Sequence, residues 1–157
     1  MNTNDFLLKL YFDLNKPKEN AGFLLRLFAF LIDFAILSII NYILIETFRL
    51  DVIVQSDAFN PILLISHPYS IIVNWLYFAI LESNPNYQAT IGKKILKLKV
   101  VGIDGKKISF GSASVRFFVK FISGLIFGIG FLMIIFTKNR QGLHDLAAGT
   151  FVKIKYE

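Results

Sequence analysis

Five side chains carry chemistry at odds with their surroundings. Asp33 lies near the centre of FLLRLFAFLIDFAILSIINYILI (residues 23–45), an apolar run whose other charge is Arg26. A carboxylate near the bilayer midplane costs about 2.5–3.5 kcal/mol on insertion scales, so it faces protein or water rather than lipid. Such a group has two uses. It can bind and release a proton or a cation, or it can accept hydrogen bonds that hold helices together. Burial raises a carboxylate pKa and a nearby guanidinium lowers it, and an acid balanced between the two titrates near neutral pH, as cation–proton exchange requires. Arg26 and Asp33 are seven residues apart, nearly on one helical face but about 10 Å apart along the axis. Direct pairing is therefore not expected. Arg26 either snorkels to headgroups or meets a carboxylate from another segment.

The other three candidates are Glu82, Asn74 and Asp145. Glu82 ends a second apolar stretch at the level of Arg26, and is expected to pair with Arg26 or a loop lysine. Asn74 lies within that stretch. It serves either as an interhelical hydrogen bond, worth about 0.6–2 kcal/mol in membranes, or as a polar wall for an ion. Asp145 follows His144 in a Gly-Leu-His-Asp run. It caps a helix over Leu146–Ala148, pairs with Arg140 or Arg26, or acts as a cytoplasmic-side carboxylate of an ion path. No enzyme signature accompanies these residues. The chain has no cysteine, which excludes thiolate metal sites and thiol catalysis. It has no nucleophile elbow and no phosphate-cradling glycine loop ahead of a lysine. No cofactor, catalytic residue or metal site is expected, and His67 and His144 fall at opposite membrane faces.

The elements that must position these groups read as membrane helices. Hydrophobic residues make up 55% of the 157, and 18% are charged against about 25% in a typical globular domain. The length suits one domain, with a polar cytoplasmic segment over 1–20 and a membrane domain over 21–157. Residues 1–22 mix lysines with Asp5, Asp13 and Glu19. The apolar run that follows exceeds the roughly 7–15-residue core of a signal peptide and reaches the roughly 20 residues of a span. Phe23–Ile45 is therefore read as a retained span, preceded by a short interfacial helix. A second stretch covers Ile62–Leu81. It either kinks at Pro68, or begins there behind Ser66 and His67 as caps. Ser70, Asn74 and Tyr77 share one of its faces.

Residues 82–116 are rich in lysine, and the segment KLKVVGIDGKKISF alternates around Asp104-Gly105. This predicts a hairpin with strands at Leu96–Ile103 and Lys106–Phe110. Thr150–Lys155 alternates as a third strand. A helix is expected over Ser112–Ile122, followed by glycines 124, 128 and 130 and a second apolar piece to Phe136. The 82–116 loop holds seven Lys or Arg and the 46–61 connection one. The first therefore faces the cytoplasm and the second faces outward. Turning at the glycines, 112–136 makes two halves of about 11 residues, or about 16 Å each, too short to cross. This re-entrant pair is preferred over a third span, because it keeps the C-terminal basic residues and the third strand in the cytoplasm.

Three blocks resemble the RDD family of small integral membrane proteins: AGFLLRLFAFLIDFAIL (21–37), ESNPNYQATIGKKILKLKVVGIDGKKISFGSASVRF (82–117) and KNRQGLHDLAAGTFVKI (138–154). The family is named for an arginine and two aspartates, which match Arg26, Asp33 and Asp145. The resemblance implies a membrane protein whose molecular role is largely undefined, with cation–proton exchange suspected for some members.

Together these readings predict an all-α helical membrane protein of the bacterial cytoplasmic membrane, multi-pass, with both termini cytoplasmic. It has two transmembrane helices, a re-entrant helical pair or third membrane helix, and a small cytoplasmic three-stranded antiparallel β-sheet. The expected partners are the lipid bilayer, anionic headgroups at the lysine-rich loop, and further copies of the chain, because so small a bundle has no room for an internal path. Nucleic acid is not expected. Two functions follow: cation–proton exchange through Asp33, or an accessory or scaffolding subunit in which the arginine and two aspartates are structural.

Overall fold

The computed structural model describes residues 20–48, 68–125 and 129–155. Among them the protein is mostly helical. Helix α1 runs Phe23–Phe48 and α2 Pro68–Ser83; short α3 (Ile91–Ile95) leads into strand β1 (Leu98–Gly102). Helices α4 (Phe110–Leu125), α5 (Ile129–Phe136) and α6 (Leu143–Ala147) follow, and β2 (Thr150–Ile154) closes the chain. The expected interfacial helix, most of the 46–61 connection, the start of the second stretch with Ser66 and His67, and the centre of the glycine turn lie outside the described residues.

The burial pattern is inverted relative to a water-soluble protein. The covered face of α1 is Arg26, Ala29, Asp33, Leu37, Ser38 and Asn41, and that of α2 is Ser70, Asn74, Phe78, Ala79 and Glu82. Both follow the three- and four-residue spacing of one helical face. Large apolar side chains point outward instead: Phe28, Ile39 and Ile43 on α1, Ile72 and Ile80 on α2, Phe121 on α4, Ile135 and Phe136 on α5. An apolar girdle of this extent is a liability in water and the expected surface in lipid. Only α1, among the described residues, is long and apolar enough to cross a bilayer. The described part of α2 has 16 residues, about 24 Å at 1.5 Å per residue against a core of about 30 Å. A second full span is therefore not seen. Pro68 is the first residue of the described part of α2.

Among the described residues the sheet has two strands rather than the expected three. Strands β1 and β2 pair antiparallel, with Val100 opposite Val152 and Gly102 opposite Thr150. The Asp104-Gly105 turn forms: Gly105 has φ +76° and donates to the Gly102 carbonyl, and Lys106 N–H donates to Asp104 Oδ1 at 3.1 Å. The predicted strand Lys106–Phe110 does not follow it. Ser109 starts a helix instead, its Oγ accepting from Ser112 N–H at 3.1 Å and its carbonyl from Ala113 N–H. An N-cap of this kind outcompetes a marginal alternating pattern. The other side of β2 meets the chain just before α1, where Asn20 bridges Lys153 and Ala21 N–H donates to the Val152 carbonyl at 2.8 Å.

Helix α4 is the hub. It packs on α2, α5 and α6, while α1 packs on α3, α5 and α2. Helices α4 and α5 approach closely at Gly130, where any Cβ would collide with Ser123. With 8 residues, α5 spans about 12 Å, far short of a bilayer.

Candidate functional site

Two polar clusters occupy the interior, and they are built differently. The first surrounds Asp33 with neutral donors. Its carboxylate is 1% exposed. Oδ1 accepts from the Tyr77 hydroxyl at 2.7 Å and from Gly92 N–H at 2.8 Å, and Oδ2 from the Thr90 hydroxyl at 2.6 Å. Thr90 also caps α3, its Oγ1 accepting from Lys93 N–H. Tyr77 accepts from Ile91 N–H at 3.3 Å. One carboxylate thereby ties α1 to both α2 and α3. Gly92 makes this possible: a Cβ there would overlap the Ala29 carbonyl oxygen and come within 3.0 Å of the carboxylate. Deeper along the same helices, Asn41 donates from Nδ2 to Asn74 Oδ1 at 3.2 Å and to the Leu37 carbonyl.

The second cluster is ionic. Arg116, fully buried in α4, reaches both acids: its Nε donates to Glu82 Oε2 at 2.8 Å, and its Nη1 to Asp145 Oδ1 and the Thr150 hydroxyl. Asp145 also takes Nη1 of Arg26 on Oδ2. Arg26 Nε donates to the Ala21 carbonyl at 3.0 Å and Nη2 to the Arg140 carbonyl. Glu82 Oε1 receives Lys93 and, at 3.1 Å, Lys120. Asp145 is the third residue of α6, and its Oδ2 accepts from Gly142 N–H at 3.1 Å. It is thus a first-turn anion of that helix rather than the cap of one beginning at Leu146. Burial pushes its carboxyl up, but Arg116 and Arg26 outweigh this and hold it well below the usual carboxylate range. Burial holds the adjacent His144 well below the usual imidazole range, so its ring is neutral. A wholly buried network of this size is expensive to desolvate and is stable only when every charge has partners.

The five residues singled out from sequence fall into different clusters. Arg26, Glu82 and Asp145 come together around Arg116; Asp33 and Asn74 lie apart from them and from each other. Glu82 pairs with a loop lysine, not with Arg26. Arg140 sends its side chain to the Asn20 carbonyl at 3.1 Å. The sequence does not single out Arg116, Lys120, Lys93, Thr90 or Gly92 as site residues. Arg116 and Lys93 fall in the lysine-rich 82–116 stretch, yet both are buried. The available signal was Arg116 and Lys120 one turn apart within an otherwise apolar helix. Among the described residues no group of His, Cys, Asp and Glu has a metal-binding arrangement.

The pattern describing the RDD family matches residues 20–149. The chain belongs to the RDD family. It is 35% identical to the uncharacterized protein YxaI of Bacillus subtilis (strain 168), over 88% of this chain and 99% of that one. It is 30% identical to the uncharacterized membrane protein YteJ of the same organism, over 84% of this chain and 79% of that one. No solved structure matches. Family membership and the outward apolar girdle both support a membrane setting for this RDD protein.

Proposed function

We propose that this RDD protein is a non-enzymatic, multi-pass protein of the bacterial cytoplasmic membrane that acts as an accessory or scaffolding subunit, and that Arg26, Asp33 and Asp145 maintain its fold. The observation that carries this reading is the closed cage of Asp33: three neutral donors satisfy a carboxylate that solvent does not reach. The Arg116–Asp145 contact supports a re-entrant α4–α5 pair, because the chain must return to the level it left. On this reading α1 and a longer version of α2 span the bilayer, both termini are cytoplasmic, the lysine-rich loop lies near anionic headgroups, and copies of the chain associate.

Cation–proton exchange is the second reading. It is favoured by one fact: Asp33 lines a cavity of about 330 Å³ together with Arg26, Arg116 and His144. The four cations of the ionic cluster, Arg26, Lys93, Arg116 and Lys120, outnumber its acids Glu82 and Asp145, and such a field repels a passing cation. Sodium-driven proton flux in proteoliposomes, with wild type and Asp33→Asn, separates the two. The scaffold reading expects no flux from either and a lower melting temperature for the variant. Flux that Asp33→Asn abolishes while the protein stays folded would establish exchange instead.

A further inference from the structure

The cavity between α1, α4, α5 and α6 is lined by basic and apolar residues. Arg26, Lys93, Arg116 and Lys120 are among them, while Glu82 and Asp145 are not. Asp33 is the acid that reaches the cavity, and its oxygens already accept three hydrogen bonds. Its apolar lining includes Leu27 and Phe30 of α1 with Phe131 and Leu132 of α5. Leu27, Phe30 and Leu132 are also on the outer, apolar surface of the protein, so the cavity is continuous with the surface that faces lipid.

Two residues of this lining each hold a buried polar atom without a partner: Nη2 of fully buried Arg116 and Nδ1 of His144. An unmet buried donor costs about 1–3 kcal/mol, and nearly all such groups in folded proteins find an acceptor. An oxyanion is the acceptor that guanidinium geometry fits best. His144 presents Nε2 to Asp145 Oδ1 at 3.5 Å, which leaves Nδ1 of the neutral ring as an acceptor for a hydroxyl.

We propose that this cavity binds the headgroup of an anionic, hydroxyl-bearing phospholipid, with its phosphate on Arg116, Arg26 and the two lysines and its acyl chain running out between Leu27, Phe30 and Leu132 into the bilayer. The inference rests on the membrane reading above, and it concerns an internal site rather than loose attraction of headgroups to the lysine-rich loop. The volume fits: about 330 Å³ lies at the small end of the roughly 300–1,000 Å³ range of ligand pockets, enough for a head and the start of a tail. Basic pockets between membrane helices are established headgroup sites. The bound phosphate supplies the counter-charge that the excess of cations over acids leaves unmet within the protein.

The test uses the full chain purified in a neutral maltoside detergent. Short-chain phosphatidylglycerol, phosphatidylcholine, oleate and inorganic phosphate are titrated separately. Melting temperature and native mass spectrometry are the readouts. Phosphatidylglycerol is expected to raise the melting temperature saturably, to form a one-to-one adduct, and to bind at least ~10-fold more tightly than phosphatidylcholine. Lys120→Gln is expected to weaken that binding ~10-fold while melting cooperatively without lipid. Lys106→Gln/Lys107→Gln, in the loop and off the cavity, is expected to leave it unchanged. An equal response to phosphatidylcholine, to oleate or to inorganic phosphate overturns the assignment, as does loss of binding in the loop variant. Folded protein that binds none of the four overturns the site but leaves the membrane reading intact. A chain that is monomeric and folded without detergent overturns the membrane reading itself.

Discussion

The cage around Asp33 and the network around Arg116 solve one problem, a charge in a low-dielectric interior, by opposite means. Asp33 meets a phenol, a hydroxyl and a backbone amide, all neutral, all from elements that α1 must touch. Asp145 and Glu82 meet full positive charges from three helices. Hydrogen-bond donors are short-range and directional, so the cage sets the distance and rotation of α1 against α2 and α3. Coulomb attraction is long-range and tolerant of geometry, so the network gathers elements that are remote in sequence. The difference predicts that the network is sensitive to charge and the cage to shape.

The largest effect is expected from Arg116→Ala. It leaves Glu82 and Asp145 without their shared guanidinium, and removing one partner from a buried ionic network costs about 3–5 kcal/mol. Size-exclusion profiles in detergent should show little or no folded protein. The paired variants Asp145→Asn and Asp33→Asn come next and sharpen the contrast most directly. Asparagine keeps an acceptor of the same shape, so at position 33 the loss should be about 1–2 kcal/mol. At position 145 it strips the counter-charge from Arg26 and Arg116, and the drop in melting temperature should be at least twice as large. Equal drops would show that the two clusters do not differ in kind. Gly92→Ala tests shape alone, because it changes no charge. The overlap with the Ala29 carbonyl should cost about 1–3 kcal/mol, seen as a lower melting temperature without change in oligomeric state.

Acid should act on the network side and act modestly. Both His144 and Asp145 have pKa values held below their unfolded ones, so the unfolded chain binds more protons and stability falls as pH falls. The loss from His144 begins near its unfolded value of about 6.5, that from Asp145 near about 3.9. Between pH 7.5 and 5.5 the His144 contribution should be at most about 1.4 kcal/mol per pH unit, and His144→Gln should flatten melting curves over that window.

Much of this interior was legible as a set of costly residues and little of it as a set of pairs. Arg26, Asp33, Glu82 and Asp145 stand out because a charge in an apolar helix demands an explanation from one sequence alone. Their partners do not, since Asp33 meets Gly92 across 59 positions and Arg26 meets Asp145 across 119. Lys93 and Arg116 were hidden by their neighbours: counted with five other basic residues, they looked like a solvated surface. Thr90 and Gly92 carry no charge and advertise nothing, though both are required by the cage. The expected strand Lys106–Phe110 fails for a local reason, the Ser109 cap, which is present in the sequence and outweighed by a convincing turn signal. Helices α1 and α4 and strand β2 lie within a few residues of their expected ends, because long apolar runs and strict alternation are strong signals.

The separation of Arg26 from Asp145 has a consequence for synthesis. Helix α1 leaves the ribosome and meets the membrane long before residue 145 is made, so its arginine waits for an acid made 119 residues later. Assembly closes in one late step, of the non-local kind that is slow to form. A product interrupted anywhere in that interval carries an uncompensated guanidinium at the base of its first helix.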